Sequence, residues 1–322
     1  MRGHPNLKRR TGLLGALAWC AGAAMGEGSK AAETSRLGHA ADAGEVAPTT
    51  AQIAKRQRIT SDGVRLNILE SRPSGPAKPG QERDPTILLL PGWCMPAEIW
   101  RAQLVEFGKQ WHTMAMDPRG QGESEVPASG YTADRRADDL HDVLAGHERV
   151  VLIAWSLGVL ESLQYVHRHG SGRLLAMALV DNSIGEPPAP KPTDFIEQLR
   201  RSRSATVERF VRSLFANPPA ESQVTRLRDE ALRMPLESSI ALLSYPLPRE
   251  HWRAVAHAFD RPLAYVVTPR YREQSQHLLQ ARPTTKVEIF EQAGHALFVD
   301  EASRFNRLLA DWIDSLAGPS ST

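Results

Sequence analysis

Residues 150–158 read Val-Val-Leu-Ile-Ala-Trp-Ser-Leu-Gly, and this stretch decides the fold that the sequence predicts. Its first five residues are apolar and three of them are β-branched, which is typical of a buried strand in a parallel sheet. A helical pattern follows over residues 160–169. The order of strand, tight turn and helix predicts that Ser156 stands above one edge of the sheet, at the N-terminus of a helix.

The turn at residues 154–158 is a variant of the G-x-S-x-G nucleophile elbow, with Ala154 in place of the first glycine. Small residues flank the serine because the turn is cramped and the serine backbone is strained. Free N–H groups and the dipole of the following helix favour negative charge beside Ser156. A serine that only caps the helix is the alternative interpretation. The strand and the helix around the turn favour the nucleophile.

Strand and helix patterns alternate on both sides of this turn. Strands are predicted at residues 53–60, 64–70, 86–90, 113–116, 174–180, 263–267 and 286–290, and helices at residues 99–108, 132–145 and 305–316. Such alternation calls for a mostly parallel sheet with helices on both faces. The predicted fold class is therefore α/β.

The alternation stops over residues 183–260, where several prolines precede new helical patterns. An insertion of this length between two core strands predicts a helical cap over the site, and divides the core into residues 53–182 and 261–318. Apolar side chains of the cap contact either the substrate or one another, and the second interpretation, a core of the cap itself, is favoured. They are Phe210, Leu214, Phe215, Leu242, Leu243 and Trp252.

The N-terminal region resembles an export signal. Residues 1–26 combine four basic residues with a Gly/Ala-rich apolar run over residues 11–25, too short for a stable membrane span. We expect cleavage of this signal and a periplasmic or secreted protein. Arg9-Arg10 leaves a twin-arginine route open, and lipoprotein anchoring at Cys20 is disfavoured because Trp19 is bulky. Residues 27–52 are rich in Ala, Gly, Ser and Thr and predict a disordered linker.

Charge and cysteine content restrict the possible partners. Removal of the four basic residues of the signal changes the formal net charge from +2 to −2, so a nucleic-acid partner is not expected. Cys94 is then the single remaining cysteine, which excludes an intramolecular disulfide. His167 and His169 lack further ligands, so no metal site is predicted. The oligomeric state is left open.

Four motifs in order resemble those of the α/β-hydrolase superfamily over residues 53–318. They are Leu-Pro-Gly-Trp at residues 90–93, Asp-Pro-Arg-Gly-Gln-Gly-Glu-Ser at residues 117–124, the serine turn at residues 154–158 and Gly-His at residues 294–295. Each follows a predicted strand. The resemblance implies an α/β-hydrolase fold, and the nearest similarity is to cap-bearing esterases and lactonases.

The resemblance also implies acyl transfer through an acyl-enzyme. Ser156 would be the nucleophile and His295 the base that takes its proton. The backbone N–H groups of Trp93 and Leu157 would form the oxyanion hole. Asp117 and Arg119 would brace loops by hydrogen bonds. Glu98 and Glu161 are expected to be solvated positions on helices.

The acidic residue departs from the usual family pattern. Its usual place, after the strand that precedes the histidine strand, holds Tyr271, which cannot supply a buried negative charge. Some members carry the acid one strand earlier, where this chain has Asp181. We therefore assign the acid to Asp181, and Glu273 or a carboxylate of the cap is the alternative.

The favoured function is a serine hydrolase that cleaves a small or medium ester or lactone without a cofactor. A serine at the elbow argues against dehalogenase or epoxide-hydrolase chemistry, which needs a carboxylate nucleophile. A cofactor-free haloperoxidase, an acyltransferase or a peptidase would use the same triad. Tyr271 also keeps open a binding protein of the same fold without turnover.

Overall fold

The structure is a computed structural model that describes residues 52–74, 85–217 and 219–316. The predicted signal at residues 1–26 lies outside these ranges, as does the predicted linker at residues 27–52 except for residue 52. Among the described residues, no helix is long and apolar enough to cross a membrane.

The strands of the described residues form one sheet. They are β1 (Ala54–Ile59), β2 (Arg65–Ser71), β3 (Thr86–Leu90), β4 (Thr113–Met116), β5 (Val150–Trp155), β6 (Leu174–Val180), β7 (Leu263–Val267) and β8 (Lys286–Ile289). Their order in the sheet is β1-β2-β4-β3-β5-β6-β7-β8. The β1–β2 and β2–β4 pairs are antiparallel, and the remaining pairs are parallel.

Strand β5 lies at the centre of the sheet, between β3 and β6. All six of its residues are buried, as expected for a strand that is covered on both faces. Because parallel strands end at the same edge of the sheet, the loops after β3, β5, β6, β7 and β8 are brought together there. This edge holds the motifs singled out in the sequence.

Helices flank the sheet. They are α1 (Arg101–Phe107), α2 (Ala133–Val143), α3 (Leu157–His169), α4 (Phe195–Arg201), α5 (Arg203–Ser213), α6 (Glu221–Leu232), α7 (Leu236–Leu242), α8 (Arg249–Ala258), α9 (Arg272–Ala281), α10 (Leu297–Asp300) and α11 (Ala302–Leu316). Short 310 turns precede α1 and α9. A mostly parallel sheet with these helices confirms the predicted fold class.

Helices α4–α8 lie between β6 and β7, within the insertion predicted at residues 183–260. The six apolar side chains predicted for its core are all buried. The ring of Phe210 packs against that of Phe195 at 5.7 Å, and α5 packs against α6. These contacts favour the interpretation that the apolar residues form a core of the insertion.

Several helix boundaries differ from the sequence prediction. Helix α3 begins at Leu157 rather than at residue 160, directly after the serine turn. The predicted helix at residues 99–108 consists of a 310 turn over Ala97–Trp100 and the shorter α1. Apolar periodicity cannot place these ends, because the first turn of a helix is defined by its capping geometry.

Candidate active site

Ser156 occupies a strained turn between β5 and α3. Its backbone has φ 54° and ψ −122°, a conformation that L residues rarely adopt. The Ser156 N–H donates to the Val180 carbonyl oxygen at 2.9 Å, and the Ser156 carbonyl oxygen accepts from Asn182 Nδ2 at 2.8 Å. These bonds to the end of β6 hold the turn in place. The strained serine of the predicted elbow is therefore present.

The loop after β3 lies directly against this serine. A Cβ atom added at Gly92 would stand 2.8 Å from Ser156 Cβ and 3.3 Å from its Oγ, so only glycine fits at this position. Trp93 follows Gly92, and Leu157 is the first residue of α3, where a backbone N–H has no acceptor within the helix. The two predicted oxyanion donors are thus next to the serine turn: Leu157 follows Ser156 directly, and Trp93 follows Gly92, which packs against Ser156.

Asp181 and His295 lie in contact, although they are 114 positions apart in the chain. Nδ1 of His295 is 2.7 Å from Oδ2 of Asp181, and both side chains are almost fully buried. The other carboxylate oxygen accepts from the backbone N–H of Thr268 at 2.7 Å and from its hydroxyl at 2.8 Å. Asp181 itself has a positive φ of 45°. A fully hydrogen-bonded carboxylate therefore orients the imidazole through Nδ1.

Burial lowers the pKa of His295 from its ordinary value of 6.5. The hydrogen bond and the charge of Asp181 act in the opposite direction, and the positive charge of Arg270 lowers the pKa slightly further. The net shift favours a neutral imidazole at neutral pH. A neutral ring that donates from Nδ1 has its lone pair on Nε2, which is the form that a general base requires.

The loop of His295 is bound to the serine turn and to the helical insertion. The indole Nε1 of Trp155 donates to the His295 carbonyl oxygen at 2.9 Å. Oδ2 of Asp300 accepts from the N–H of Gly294 at 2.8 Å and from that of Ala216 at 2.9 Å. These bonds connect the imidazole loop to the end of β5 on one side and to the insertion on the other.

The alternative acids do not contact the imidazole through Nδ1, since that nitrogen is bonded to Asp181. Tyr271 is only 4% exposed and lies beside Asp181, and burial together with the charge of Asp181 raises the pKa of its hydroxyl. Glu273 is exposed on the first turn of α9. Tyr271 is therefore a neutral neighbour of Asp181.

Asp117 and Arg119 brace the backbone and the surrounding loops. The carboxylate of Asp117 accepts from the N–H of Ala97 at 2.5 Å, from that of Glu123 at 2.9 Å and from Asn67 Nδ2 at 2.8 Å. The buried guanidinium of Arg119 forms two hydrogen bonds of 2.6 Å to Asp139 and further bonds to Asp62. Their contacts agree with the structural role predicted for them.

The prediction that Glu161 is a solvated position on a helix was wrong. Its side chain is 1% exposed, and Oε1 accepts from Arg136 Nε at 2.8 Å and from the Tyr245 hydroxyl at 3.0 Å. Burial raises the pKa of Glu161, and the charge of Arg136 opposes the rise. Because a buried carboxylate needs such partners, this group joins α3 to α2 and to the insertion.

Gln121 connects the Glu161–Arg136 pair to the loop after β3. Its Nε2 donates to the carbonyl oxygens of Gly92 at 3.0 Å and Met95 at 2.8 Å, and its Oε1 accepts from Arg136 at 2.9 Å. The side chain is buried. Gln121 therefore holds the segment that contains Trp93 against the core.

The Trp93 side chain points away from the sheet and into the insertion. Its Nε1 donates to the Ser239 carbonyl oxygen at 2.7 Å, and its ring packs edge-on against Phe195 at 5.5 Å and Phe210 at 5.1 Å. The same residue thus offers a backbone N–H near Ser156 and anchors the insertion.

A cleft of about 1120 Å³ opens between the insertion and the core. It reaches the buried pair at Asp181 and His295. Its other lining residues come from two sides: Pro188, Ala189, Pro190, Lys191, Pro192, Thr193, Arg209, Arg212, Ser213 and Phe215 from the insertion, and Thr268, Arg270, Tyr271, Gln274, Ala293 and Gly294 from the core. The cleft provides access to the imidazole from outside.

No group of three or more His, Cys, Asp or Glu side chains within the described ranges could hold a metal ion. His169 of the His167–His169 pair lies 2.8 Å from Asp138, a surface contact. Cys94 is buried and reduced, and burial raises the pKa of its thiol to about 12.

Three residues of this site carry signals that the sequence analysis did not use. Thr268 follows β7 just as Asp181 follows β6, and these strands are paired side by side. Trp155 is the second residue of the elbow motif, and Gln121 lies within the motif at residues 117–124. Each could have been nominated from its position at a strand end.

The fold and this strained serine turn define a protein of the hydrolase class. The family model described as the alpha/beta hydrolase family matches residues 87–308. The chain therefore belongs to the alpha/beta hydrolase family.

Curated relatives include enzymes with different chemistries. The chain is 25% identical to epoxide hydrolase 3 of Xenopus tropicalis over 296 residues, which cover 80% of this chain and 76% of that protein. It is 37% identical to the non-heme chloroperoxidase CPO-A1 of Kitasatospora aureofaciens over 99 residues, which cover 29% of this chain and only 35% of that protein.

Among solved structures, an esterase (EaEST) from Exiguobacterium antarcticum superposes with a TM-score of 0.68 at 18% identity, covering 80% of this chain and 98% of that chain. At this identity the likeness shows the fold alone.

Proposed function

We propose that the protein is a serine hydrolase that cleaves a small or medium carboxylic ester or lactone through an acyl-enzyme. The contact between Asp181 and His295, at the same sheet edge as the strained Ser156, is the observation that supports this proposal best. A buried carboxylate at Nδ1 leaves Nε2 as the base, which is the arrangement a serine nucleophile needs.

In the proposed reaction, Nε2 of His295 takes the proton of the Ser156 hydroxyl as Oγ attacks the ester carbonyl. The backbone N–H groups of Trp93 and Leu157 stabilise the oxyanion, and one such donor typically contributes about 3 kcal/mol. The imidazolium then protonates the leaving alcohol as the carbon–oxygen bond breaks. Water, activated by the same imidazole, hydrolyses the acyl-enzyme and restores Ser156.

The residue at the elbow distinguishes this proposal from the activity of the epoxide hydrolase relative. Opening an epoxide through a covalent ester requires a carboxylate nucleophile, whereas this chain has a serine hydroxyl at position 156. The serine supports acyl transfer to a small-molecule ester or lactone.

A fluorophosphonate probe and a short p-nitrophenyl ester test the proposal. We expect labelling and turnover in the wild type and the loss of both in Ser156→Ala. Ser162→Ala is the matched control, because Ser162 lies on the same helix and its hydroxyl only donates to the Gly158 carbonyl oxygen at 2.8 Å. A wild type that neither labels nor hydrolyses any short ester would instead support a binding protein.

The chloroperoxidase relative favours a second candidate, a cofactor-free haloperoxidase. Here hydrogen peroxide replaces water in the attack on the acyl-enzyme, and the peracid released oxidises a halide ion. The test is peracid formation from acetate and hydrogen peroxide by the wild type. If peracid forms faster than a short ester is hydrolysed, this candidate replaces the first.

We also propose that residues 1–26 direct export. Their basic start and apolar run support this proposal. Fusion of residues 1–52 to alkaline phosphatase should give an enzyme that is active only outside the cytoplasm, and replacement of Arg9 and Arg10 by lysine separates the twin-arginine route from the general route. An inactive fusion would refute export.

A further inference from the structure

The cleft that leads to His295 has a basic lining. Lys191, Arg209, Arg212 and Arg270 all line it, and Asp181 is the only acidic residue among its described lining residues. Asp181 offsets only one of these four positive charges, and its two carboxylate oxygens are hydrogen-bonded to His295 and Thr268. The cleft therefore presents uncompensated positive charge to a ligand.

Arg212 does not contribute to this charge. Its guanidinium lies 2.9 Å from Glu208 and 2.7 Å from Glu221, and these two carboxylates neutralise it. The charge therefore depends on the other basic residues of the lining.

The remaining three cations are Lys191, Arg209 and Arg270, and none of them forms an ion pair with a residue that the structure describes. Arg209 donates to two neutral acceptors, Gln198 Oε1 at 3.1 Å and Thr206 Oγ1 at 3.2 Å. Arg270 lies over the Tyr271 ring at 5.8 Å.

Arg270 is close enough to influence the reaction. Its charge lowers the pKa of His295, so it opposes formation of the imidazolium that the proposed mechanism requires. A substrate with a negative charge would offset this effect as it binds. An arginine in this position is thus better matched to an anionic substrate than to a neutral one.

We propose that Lys191, Arg209 and Arg270 bind the carboxylate of an ester whose alcohol portion carries that carboxylate. This inference rests on the proposed serine hydrolase. The alcohol portion is specified because His295, the residue that protonates the leaving oxygen, lines the cleft, whereas Trp93 and Leu157 do not. The acyl portion then lies nearer Trp93 and Leu157.

The proposed reaction consumes one water molecule and gives two products. A bond forms between Ser156 Oγ and the acyl carbon, and the bond from that carbon to the alcohol oxygen breaks. The serine proton passes through His295 to the alcohol, which leaves as a hydroxy acid. Water then attacks the acyl carbon, the bond from that carbon to Ser156 Oγ breaks, and one proton of the water passes through His295 to Oγ as the second acid leaves.

The test compares two acetyl esters of similar size, 4-acetoxybenzoate and 4-acetoxybenzamide, which differ in the charge of the leaving group. We expect a higher kcat/KM for the charged ester, and we expect this advantage to shrink between about 0.02 M and about 0.5 M salt, because salt screens exposed charges. Arg270→Gln should lower the ratio of the two kcat/KM values about fivefold.

Lys191→Gln and Arg209→Gln should lower this ratio as well, whereas Arg307→Gln should leave it unchanged. Arg307 is an exposed arginine on α11 that does not line the cleft. Equal kcat/KM values for the two esters, or a ratio that Arg270→Gln does not change, would overturn the inference. Absence of turnover with both esters would overturn the proposed function instead.

Discussion

The indole Nε1 of Trp155 donates a hydrogen bond to the carbonyl oxygen of His295 at 2.9 Å. The two rings also lie 5.0 Å apart. Trp155 immediately precedes Ser156, so the residue before the proposed nucleophile holds the loop of the proposed base. This bond joins the imidazole loop to the serine turn without involving the hydroxyl or the imidazole ring.

Trp155→Phe should lower kcat about tenfold with little change in KM, because the His295 loop loses its bond to the elbow while the cleft is retained. The variant should also be less stable by about 1–3 kcal/mol, since a buried carbonyl oxygen loses its donor. Steady-state kinetics on a short p-nitrophenyl ester and urea unfolding measure both effects. Trp312→Phe, at a partly buried site on α11, is the control, and an equal fall in kcat there would contradict the argument.

Asp181→Asn should reduce kcat by about 10⁴, the typical result of losing the carboxylate that sets the tautomer of a catalytic histidine. Tyr271→Phe should reduce it less than about threefold, because Tyr271 is a neutral neighbour of the acid. The two variants are assayed side by side, with circular dichroism to check folding. The reverse ranking would move the acid role away from Asp181.

The activity should rise with pH as His295 loses its proton. Because burial lowers the pKa of His295 below its ordinary value of 6.5, the midpoint of kcat/KM against pH should lie below 6.5. Asp181 raises this pKa, so in Asp181→Asn the residual activity should titrate at a still lower pH. Glu273→Gln, at an exposed position, should leave the midpoint unchanged. A wild-type midpoint above 7 would contradict a buried neutral imidazole.

The same pKa shift affects stability. A histidine whose folded-state pKa lies below its unfolded value binds fewer protons in the folded state, so stability is lost as the pH falls below about 6.5. His295→Gln should therefore show a smaller decrease in the free energy of unfolding between pH 7 and pH 5 than the wild type. Urea unfolding at both pH values measures this difference, and an identical decrease in both proteins would show that other groups control it.

The fold was predictable because its signals are local. The apolar run of β5 and the small residues around Ser156 specify a buried strand and a strained turn within nine consecutive positions. Asp181 could be nominated because a residue after β6 has to lie at the same sheet edge as Ser156. These inferences need no knowledge of which side chains touch.

The hydrogen-bond partners of the buried polar side chains could not be predicted in the same way. Glu161 is 25 positions from Arg136, and only the packing of α2 against α3 brings them together. A single charged residue on a helix is usually solvated, so its burial becomes evident only when the neighbouring helix is placed. Thr268 is 87 positions from Asp181, and its hydroxyl bond depends on the parallel pairing of β6 with β7.

Gln121 provides a test of whether buried polar groups position the loop after β3, which carries the proposed oxyanion donor Trp93. Gln121→Leu removes the Nε2 group that donates to the carbonyl oxygens of Gly92 and Met95, so the Trp93 N–H should lose its fixed position and kcat should fall about tenfold to hundredfold.

Gln103→Leu is the matched control for this variant, because Gln103 is also buried and its Nε2 donates to Phe298 O and Asn306 Oδ1, both at 2.9 Å. Each substitution leaves two buried acceptors without their donor, so both variants should show a lower midpoint of urea unfolding. Only Gln121→Leu should also lose kcat, because Gln103 supports α10 and α11 rather than the loop after β3. Equal kcat values in the two variants would show that the loop after β3 keeps its geometry without Gln121.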